Sequence, residues 1–364
     1  MTSVVLAGGG TAGHTSPLIA TAHALQALEP GIDLVCVGTA RGLETRVIPA
    51  AGLALELITP VPMPRRPNLD LVKLPWRLAG AVGESRRILR TAGADALVGF
   101  GGYVSIPAYL AARTLGVPVV IHEANKIPGI ANRIGARFAA FVATTFAETE
   151  LPGAHLLGMP MSDAITRPTL EVAAARARFG LDPDRPVLLV SGGSQGARSI
   201  NEATRDATDA LMAAGIQVLH VLGPKNFTDD DVPRSHPSGG RYEPVAFVEQ
   251  MADAYIAADM MVARGGAATV METAVSGLPV VFVPLPWGNG EQEKNAADLV
   301  ASGAGLLLRD DALDGRTLSA VVLPRITDPS VLREMSETAR TQYPRDAAEA
   351  LARATVTVIE AKDS

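Results

Sequence analysis

The chain has 364 residues, of which 48% are hydrophobic, and it carries 35 Gly, 26 Pro, one Cys and a formal net charge of −6. This length is too great for one compact core and fits two domains, while the negative charge argues against general nucleic-acid binding. The single cysteine, Cys36, excludes a disulfide framework within the chain, and no apolar run is long enough to span a bilayer. Because the first residues also lack a signal-peptide pattern, we expect a cytoplasmic protein with Cys36 in its core.

The chain begins with a buried strand, a glycine loop and a helix. Residues 4–7 are apolar and a helical pattern begins after the loop. Gly8, Gly10 and Gly13 of the loop match the G-x-G-x-x-G dinucleotide pattern. A NAD site also needs an Asp or Glu near the end of the second strand to hold the ribose diol. The second predicted strand, residues 34–37, ends in Gly and Thr, so NAD is disfavoured. The loop instead suits a phosphate at a helix N-terminus.

His14 directly follows this loop, at the predicted start of the first helix. One interpretation is a polar side chain that satisfies main-chain groups at the helix end. The other is a general base, because a helix N-terminus disfavours the imidazolium form and keeps the ring able to accept a proton near neutral pH. Both interpretations stay open on this evidence.

Residues 59–90 differ in character from the rest of the chain. Four prolines (60, 62, 64 and 67) alternate there with Arg65 and Arg66, and a stretch with leucines, Trp76 and further arginines follows. One interpretation is a loop and a helix that packs its apolar side inward and leaves its arginines in solvent. The alternative is a surface of leucine, tryptophan and basic side chains that binds an anionic membrane.

Two further strands of the first half end in glycine-rich or polar segments. Residues 96–100 lead into a glycine turn that contains Tyr103, and residues 119–121 lead into His122, Glu123 and Asn125. Open α/β sheets bind ligands at the carboxyl ends of their strands, so this polar cluster is a candidate binding site. The alternative is that His122 and Glu123 simply pair with each other.

The second half of the chain repeats the same order of elements. Residues 187–190 form an apolar strand before the glycine loop SGGSQGAR, and residues 264–270 form another glycine turn that opens a helix with Glu272. A carboxylate there can accept two hydrogen bonds from a ribose diol. The amide and carboxylate side chains at 291–295 suit the hydroxyls of a sugar. The duplication predicts an α/β protein with two Rossmann-like domains.

Two acidic runs are interpreted as structural. Asp182-x-Asp184 matches a metal-nucleotide DxD pattern by letter, but it stands in a proline-bracketed turn, where Asp is common. Residues 229–231 are three successive aspartates, and we expect them to form a solvated loop.

Six motifs in order resemble the MurG family of bacterial glycosyltransferases, across essentially the whole chain. One such motif would be weak evidence, but six with compatible spacing are specific. They are GGGTAGH (8–14), GFGGYVSIPA (99–108), HEANKIPGIANR (122–133), GGSQGAR (192–198), RGGAATVMET (264–273) and GNGEQEKNA (288–296).

The resemblance implies the GT-B fold, in which two Rossmann-like domains of parallel sheet face a central cleft. The N-terminal acceptor and membrane-facing domain would comprise residues 1–161 and 343–364, because the last helix would return to it, and residues 162–342 would bind UDP-GlcNAc. The implied reaction is inverting transfer of N-acetylglucosamine from UDP-GlcNAc to the MurNAc 4-hydroxyl of lipid I, which gives lipid II and UDP. This step serves peptidoglycan synthesis, cell shape and cell division. The enzyme would be a peripheral protein at the cytoplasmic face of the cell membrane.

By motif matching, the resemblance also implies the residues of the site. His14 would be the base, assisted by Glu123 and Tyr103. The acceptor side would comprise Thr11, Ala12, Gly13, His122, Asn125 and Arg137. The donor side would comprise Ser162, Ser194, Gln195, Phe247, Val248, Arg264, Ala267, Ala268, Thr269, Glu272, Glu291, Gln292 and Asn295.

Neither a cofactor nor a metal is implied, because main-chain N–H groups and helix dipoles at the glycine loops can meet the charge of the departing diphosphate. The implied partners are UDP-GlcNAc, membrane-anchored lipid I, an anionic membrane surface and cell-wall synthesis proteins, with no nucleic acid.

Four residues depart from the pattern usual in this family, and they bear on donor affinity. Ala124 and Lys126 replace Gln and a small residue. Ser162 stands where Arg is common, and Arg167 could substitute for that Arg from nearby. Glu291 replaces Gln or His.

Two other functions stay open beside the transferase. A UDP-GlcNAc 2-epimerase of the same two-domain fold would bind the donor and need no acceptor. A sensor would bind UDP-GlcNAc without turnover. The acceptor-side motifs at 99–105 and 122–125 favour the transferase over both.

Overall fold

The computed structural model describes residues 2–10, 12–40, 42–61, 70–287 and 289–363. The chain forms two compact units, of which the first comprises Met1–Ser162 and Pro344–Ser364 and the second comprises Asp163–Tyr343. Every helix within the described ranges is too short or too polar to span a lipid bilayer.

The first unit is built on a sheet of seven strands. In chain order they are β1 (Ser3–Ala7), β2 (Asp33–Thr39), β3 (Ala54–Ile58), β4 (Ala96–Gly99), β5 (Val119–Glu123), β6 (Phe141–Thr144) and β7 (Ala154–Leu156). Their order across the sheet is β3-β2-β1-β4-β5-β6-β7, and every neighbouring pair is parallel. Strands β1, β4 and β5 are buried along their whole length, which explains the apolar runs at 4–7, 96–98 and 119–121.

Five helices connect these strands and cover both faces of the sheet. They are α1 (Ala12–Leu28), α2 (Glu44–Ala50), α3 (Asp70–Thr91), α4 (Ser105–Leu115) and α5 (Ile130–Gly135). Successive side chains of a strand point to opposite faces. Accordingly, Val5 and Ala7 of β1 join one hydrophobic core, whereas Val4 and Leu6 join another.

The second unit contains another seven-stranded sheet. Its strands are β8 (Val187–Ser191), β9 (Gln217–Val221), β10 (Arg234–Ser235), β11 (Arg241–Val245), β12 (Met260–Ala263), β13 (Val280–Phe282) and β14 (Gly305–Leu307). The order is β10-β11-β9-β8-β12-β13-β14, with β10 antiparallel and the other pairs parallel. The helices are α6 (Asp163–Thr166), α7 (Val172–Arg178), α8 (Arg198–Ala213), α9 (Met251–Ala257), α10 (Ala267–Ser276), α11 (Glu291–Ala301), α12 (Gly315–Ile326) and α13 (Pro329–Arg340).

The last helix, α14 (Ala347–Asp363), belongs to the first unit. It packs against α1. Leu351, Ala352 and Ile359 of α14 join the core that also contains Val4 and Leu6. The first unit is therefore built from both ends of the chain.

Each sheet reverses its strand order at one point. In the first unit the chain passes outward from β1 to β2 and β3 and then returns to β4, on the other side of β1. In the second unit β8 has the same place, with β9 on one side and β12 on the other. Open α/β sheets bind ligands outside the carboxyl edge at such a reversal. The loops after β1, β4, β8 and β12 are the glycine-rich segments found in the sequence.

Two expectations about acidic and polar runs change with the structure. Strand β5 continues through His122 and Glu123, so these residues end the strand and do not follow it. Asp231 is buried, and its carboxylate accepts hydrogen bonds from the Arg205 guanidinium at 2.9 and 3.0 Å. The expected solvated loop is therefore wrong for Asp231. The turn at Asp182 is confirmed, because its side chain accepts a hydrogen bond from the main chain two residues later.

Candidate active site

His14 lies in the first turn of α1, where the first sheet reverses its strand order. Its ring Nδ1 is 3.2 Å from the carbonyl oxygen of Gly9, and because a carbonyl only accepts, Nδ1 carries the proton. The basic lone pair is therefore on Nε2. Burial lowers the pKa of His14, although the charge of Glu123, the Gly9 carbonyl and the charge of Glu44 act to raise it. The ring is thus neutral near pH 7 and able to accept a proton at Nε2.

The loop after β4 approaches this imidazole through two glycines. Gly101 and Gly102 have φ angles of +87° and +80°, which side-chain-bearing residues rarely adopt. A Cβ on Gly101 would lie 3.5 Å from His14 Nε2, and a Cβ on Gly102 would lie 2.8 Å from the Gly9 carbonyl oxygen. Glycine at these positions therefore lets two loops from neighbouring strands enclose the imidazole.

The carboxylate of Glu123 is buried and held by its neighbours. Oε1 accepts a hydrogen bond from the main-chain N–H of Asn125 at 2.9 Å, and Oε2 accepts from Gly129 N and Asn132 Nδ2, both at 2.9 Å. Glu123 thereby folds residues 124–129 over the end of β5. Its charge also raises the pKa of His14. We therefore interpret Glu123 as a residue that supports the proposed base.

His122 points away from Glu123, because neighbouring residues of a strand face opposite sides of the sheet. Its ring is fully buried, with Nε2 donating to the Gly158 carbonyl at 2.9 Å and lying 3.3 Å from Thr145 Oγ1. Burial lowers the pKa of His122 to about 4, so the ring is neutral. The alternative in which His122 and Glu123 pair is wrong. The expected contact with an acceptor is not supported either, since the ring lies in the interior.

The other candidates of the first unit adjoin His14 in the chain or follow the neighbouring strands β4 and β5. Ala12 and Gly13 belong to the first turn of α1, whereas Thr11 lies outside the described residues. Tyr103 follows Gly102 in the turn before α4, with 47% of its surface exposed. The carboxyl edge of the first sheet thus carries His14, the turn with Tyr103 and the loop with Asn125.

Arg137 does not lie at this edge. It is exposed and follows α5, shortly before β6 begins. Its neighbour Phe138 packs under the guanidinium of Arg113, which lies in the last turn of α4, at 4.9 Å. Helix α4 begins at the carboxyl edge and ends at the amino edge, so Arg137 is at the amino edge. The expectation that Arg137 joins the acceptor site is not supported.

The residues that depart from the family pattern have ordinary structural environments. Ala124 is buried, and the Lys126 ammonium is 3.2 Å from Glu148 Oε2, which balances the added charge. Ser162 is exposed at the end of the first unit's main segment. Arg167 is exposed and pairs with the acid four residues earlier, at 3.8 Å.

In the second unit, the loop after β8 has the geometry of an anion site. Gly193 and Gly196 have φ angles of +86° and +73°, and Ser194 and Gln195 between them are exposed. Helix α8 begins after this loop without a side-chain cap, which leaves its first main-chain N–H groups for a ligand. Asn226 Nδ2 donates to the Gln195 carbonyl at 2.9 Å and holds the loop in place.

The loop after β12 forms a second helix start beside the first. Strand β12 pairs with β8, so the two glycine loops are neighbours at the carboxyl edge. Ala267, Ala268 and Thr269 form the first turn of α10, which also begins without a side-chain cap. Two helix N-termini without side-chain caps therefore lie side by side, which is a geometry that suits an anion.

Arg264, which begins the glycine turn after β12, holds the turn in place through hydrogen bonds to neighbouring segments. Its Nη1 donates to the Val283 carbonyl at 3.0 Å and to Asp310, and its Nη2 donates to Ser199 Oγ at 3.0 Å. The guanidinium is buried, and both terminal nitrogens are occupied by protein acceptors. The expectation that Arg264 binds the substrate directly is therefore not supported, and we interpret it as a structural support of the loop.

Glu272 lies one turn into α10 and faces Tyr255 of α9. The Tyr255 hydroxyl donates to Glu272 Oε2 at 2.7 Å. Burial raises the pKa of Glu272 to about 7, while the bond from Tyr255 acts in the opposite direction. Among the described residues, Tyr255 alone bonds to this carboxylate, so Oε1 retains its capacity to accept from a ligand.

The three sugar-side candidates lie in the first two turns of α11. Glu291 begins the helix, where a carboxylate suits the positive end of the dipole. Gln292 Oε1 accepts from the main-chain N–H of Leu285 at 3.0 Å. Asn295 is fully buried, and its Nδ2 donates to the Gly265 carbonyl at 3.4 Å. The Asn295 bond attaches the start of α11 to the glycine turn after β12, and the Gln292 bond attaches it to the segment after β13.

Phe247 and Val248 lie beyond the end of β11, two strands away from β8. Phe247 is 37% exposed and Val248 is buried.

Within the described ranges, no three His, Cys, Asp or Glu side chains come together as metal ligands.

Two residues of the first unit were missed at the sequence level. Glu44 is buried beside the first glycine loop and accepts a hydrogen bond from Gly10 N at 2.9 Å. Asn132 is buried between Glu123 and Tyr109, whose hydroxyl donates to Asn132 Oδ1 at 2.7 Å. The signal for Asn132 was its place in the motif at 122–133. Glu44 stands in no such motif.

Family models match both units of the chain. The model of the glycosyltransferase family 28 N-terminal domain matches residues 4–144. The model of the glycosyltransferase family 28 C-terminal domain matches residues 187–351.

Full-length relatives carry one common name, UDP-N-acetylglucosamine–N-acetylmuramyl-(pentapeptide) pyrophosphoryl-undecaprenol N-acetylglucosamine transferase. A protein of Cutibacterium acnes with this name is 54% identical, over 100% of this chain and 98% of the relative. One of a Nocardioides species is 51% identical, over 96% of each.

Solved structures agree with this assignment. The crystal structure of Acinetobacter baumannii MurG matches with a TM-score of 0.76 at 28% identity, over 98% of this chain and 100% of that chain. The calicheamicin glycosyltransferase CalG4 matches with a TM-score of 0.69 at 18% identity, over 99% and 98%, which shows a common fold alone. The fold is GT-B, as expected from the motifs. The chain therefore belongs to glycosyltransferase family 28 and, within it, to the MurG family of N-acetylglucosaminyltransferases.

Proposed function

We propose that the chain moves N-acetylglucosamine from UDP-GlcNAc to the 4-hydroxyl of the MurNAc sugar in lipid I, with inversion at the anomeric carbon. The substrates are those in the names of relatives at 54% and 51% identity. The observation that carries the mechanism is the state of His14. Its Nδ1 proton is held by the Gly9 carbonyl, which leaves the basic lone pair on Nε2 at the reversal point of the sheet.

The proposed reaction is a single displacement. The acceptor hydroxyl oxygen attacks the anomeric carbon of the donor sugar while the hydroxyl proton passes to His14 Nε2. The bond between that carbon and the diphosphate oxygen breaks, and its electron pair leaves on UDP. A positioned base of this kind contributes typically about 10²–10⁴-fold to the rate.

The second unit supplies the proposed donor site. The uncapped starts of α8 and α10 face the diphosphate and stabilise the charge that develops as it leaves. Glu272 accepts hydrogen bonds from the ribose diol, and Tyr255 holds its other oxygen. Gln292 binds the sugar, and Phe247 lies beside the uracil. Asn295, expected from the motif to bind the sugar, is fully buried and instead holds the start of α11 against the glycine turn.

A membrane-binding surface on α3 would bring the enzyme to its lipid-linked acceptor, at the cytoplasmic face of the membrane. Trp76 is 81% exposed, and Lys73 and Arg77 beside it are also exposed. Exposed tryptophan with basic neighbours favours an anionic lipid surface. Leu78 packs partly against the core and is less suited to lipid contact. The prolines and arginines at 62–69 lie outside the described residues.

The test of the function is transfer of radiolabel from UDP-GlcNAc to a short-chain lipid I analogue. Label should enter the lipid phase only when the acceptor is present. Label in UDP-ManNAc without an acceptor would indicate an epimerase, and binding of UDP-GlcNAc without either product would indicate a sensor. Either result would contradict the proposed transfer.

The test of the base is His14→Ala, with His23→Ala as the matched control. His23 lies on the same helix, is exposed and bonds to the Ala51 carbonyl at 3.2 Å, away from the glycine loops. His14→Ala should lower kcat about 10²–10⁴-fold with little change in UDP-GlcNAc affinity. His23→Ala should retain wild-type turnover. Equal turnover of the two variants would remove His14 as the base.

The test of the membrane surface is flotation with liposomes of anionic or neutral lipid. Trp76→Glu should reduce flotation with anionic liposomes. Trp287→Glu is the matched control, because Trp287 is 71% exposed but belongs to the second unit. Equal loss in both variants, or none in either, would contradict the assignment of the surface to α3.

A further inference from the structure

Glu44 is a fully buried carboxylate at the start of α2 whose hydrogen bonds all come from the chain around the first glycine loop. Oε1 accepts from the main-chain N–H and the hydroxyl of Thr39, at 2.9 and 3.0 Å. Oε2 accepts from the main-chain N–H of Gly10 at 2.9 Å. No Lys or Arg of the described residues forms an ion pair with it. Glu44 thus places a buried charge, held by neutral donors, beside the loop that contacts His14.

The surrounding main chain is shaped to this carboxylate. A Cβ on Gly9 would lie 2.6 Å from Glu44 Oε1, and a Cβ on Gly38 would lie 2.5 Å from its Cγ. A Cβ on Gly42 would lie closer still to Oε2. Gly9 in the loop after β1, Gly38 in β2 and Gly42 in the loop after β2 thus leave space for one acidic side chain. Burial opposes its ionisation, but the bonds from Gly10 and Thr39 outweigh burial and place the pKa of Glu44 below its usual value.

One peptide group connects Glu44 to the proposed base. The N–H of Gly10 and the carbonyl of Gly9 belong to the same peptide plane. The N–H donates to Glu44 Oε2 at 2.9 Å, and the carbonyl accepts from His14 Nδ1 at 3.2 Å. A carboxylate that polarises the N–H end of a peptide strengthens the carbonyl end as an acceptor, because hydrogen bonds in a chain reinforce each other.

We propose that Glu44 is a positioning residue for the transfer reaction. Through the Gly9–Gly10 peptide, its carboxylate keeps the proton of His14 on Nδ1 and the basic lone pair on Nε2. The arrangement has the logic of a carboxylate that orients a catalytic histidine, with a peptide group inserted between the two. It rests on the proposed role of His14 as the base.

The same geometry predicts an electrostatic effect on His14. Burial lowers the pKa of His14, and the charges that act against burial are Glu123 at the end of β5 and Glu44 at the start of α2. Removing the charge at Glu44 should therefore lower the pKa of His14 further. A residue that merely filled space would leave this pKa unchanged.

The chain offers a matched control in Glu84. Its Oε2 accepts from the main-chain N–H of Thr59 at 2.6 Å and its Oε1 accepts from the Thr59 hydroxyl at 2.8 Å, after the end of β3. This repeats the bonds between Glu44 and Thr39 at the end of β2, without a bond to the glycine loop. Glu84→Gln thus reproduces the loss of a carboxylate at a strand end and leaves the Gly9–Gly10 peptide intact.

The experiment compares Glu44→Gln, Glu44→Asp and Glu84→Gln in two assays. Transfer to the soluble lipid I analogue gives kcat, and kcat/KM against pH gives the midpoint of the acid limb. Nitrogen-15 NMR of the imidazole gives the pKa and tautomer of His14 directly, whatever its role in turnover. UDP-GlcNAc affinity and the melting temperature serve as checks on the donor site and on folding.

Glu44→Gln should lower kcat about tenfold or more, because a displaced base is poorly aligned, and should move the acid limb and the NMR titration of His14 to lower pH. Glu44→Asp keeps the charge but is one methylene too short to reach both Thr39 and Gly10. It should lower kcat with a mixed His14 tautomer and a smaller change of pKa. Glu84→Gln should match wild type in kcat and in both titrations.

Two outcomes would overturn the proposal. One is a Glu44→Gln variant whose His14 titration and tautomer equal those of Glu84→Gln. If Glu44→Gln does not fold, the deciding variant is Glu44→Asp. A folded Glu44→Asp variant with wild-type kcat and a single His14 tautomer would also overturn the proposal. Failure of the proposed base is distinguishable from both, because it appears as full turnover by His14→Ala while the NMR link between Glu44 and His14 persists.

Discussion

The affinity of the chain for UDP-GlcNAc should fall as the pH drops below about 7, because of Glu272. A ribose diol donates hydrogen bonds and therefore prefers the ionised carboxylate. Burial raises the pKa of Glu272 from its ordinary value of 4.5 to about 7, so near neutral pH much of the free protein holds the neutral acid. Below that pH, a proton competes with the ligand for the carboxylate.

The magnitude follows from the titration of this one group. With a pKa of about 7, roughly nine-tenths of the Glu272 carboxylates are ionised at about pH 8 and roughly one-tenth at about pH 6. The dissociation constant for UDP-GlcNAc should therefore rise about tenfold between these pH values. Tyr255→Phe removes a hydrogen bond that lowers the pKa of Glu272, so the midpoint of the effect should move to higher pH.

Isothermal titration calorimetry with UDP-GlcNAc measures the effect, because the two phosphates of this ligand have no proton that titrates near neutral pH. Glu272→Gln is the control variant, since an amide cannot ionise. It should bind more weakly than wild type at about pH 8 and with nearly equal affinity at about pH 6 and 8. A wild-type dissociation constant that stays level across this range, or a Glu272→Gln variant that keeps the tenfold change, would refute the reasoning.

Three further substitutions test the packing of the loops and of a buried ion pair. Gly102→Ala should slow turnover and cost roughly 1–3 kcal/mol of stability, because φ is +80° and the methyl would lie 2.8 Å from the Gly9 carbonyl oxygen; kinetics and thermal melts check both. Gly196→Ala should weaken UDP-GlcNAc binding in calorimetry, since its methyl would overlap a main-chain carbonyl. Asp231→Asn should lower the free energy of unfolding in urea by about 1–3 kcal/mol, because the half-buried Arg205 loses its ion pair.

The strands and glycine loops could be predicted because their causes are local. A strand buried on both faces, such as β1 or β8, must be a short apolar run, and a tight turn at its end requires glycine. The reversal point of each sheet then follows from the repeated order of strand, loop and helix. These features placed His14 and the phosphate-type loop after β8 before any contact was known.

The contacts that support the site could not be predicted in this way. Glu44 reaches Gly10 across 34 residues, and Arg264 reaches Asp310 across 46. Each is a charged side chain that composition alone would assign to solvent. The burial of each side chain depends on which elements the completed fold brings together, and the neighbouring sequence does not indicate those contacts. The same holds for Asp231 and its bond to Arg205.

The packing of α14 against α1 has a consequence for how the protein is made. A ribosome synthesises the first 162 residues and then the whole second unit before it reaches α14, the helix that contributes Leu351 and Ile359 to the first core. Until α14 is synthesised, the apolar face of α1 that packs against it stays uncovered, although the second unit is already complete and able to fold. We therefore expect the N-terminal half of the nascent chain to need protection from aggregation and proteolysis for longer than the second unit. A product that terminates before α14 should be recognised by cellular proteases, even though both glycine-loop sites are encoded in full.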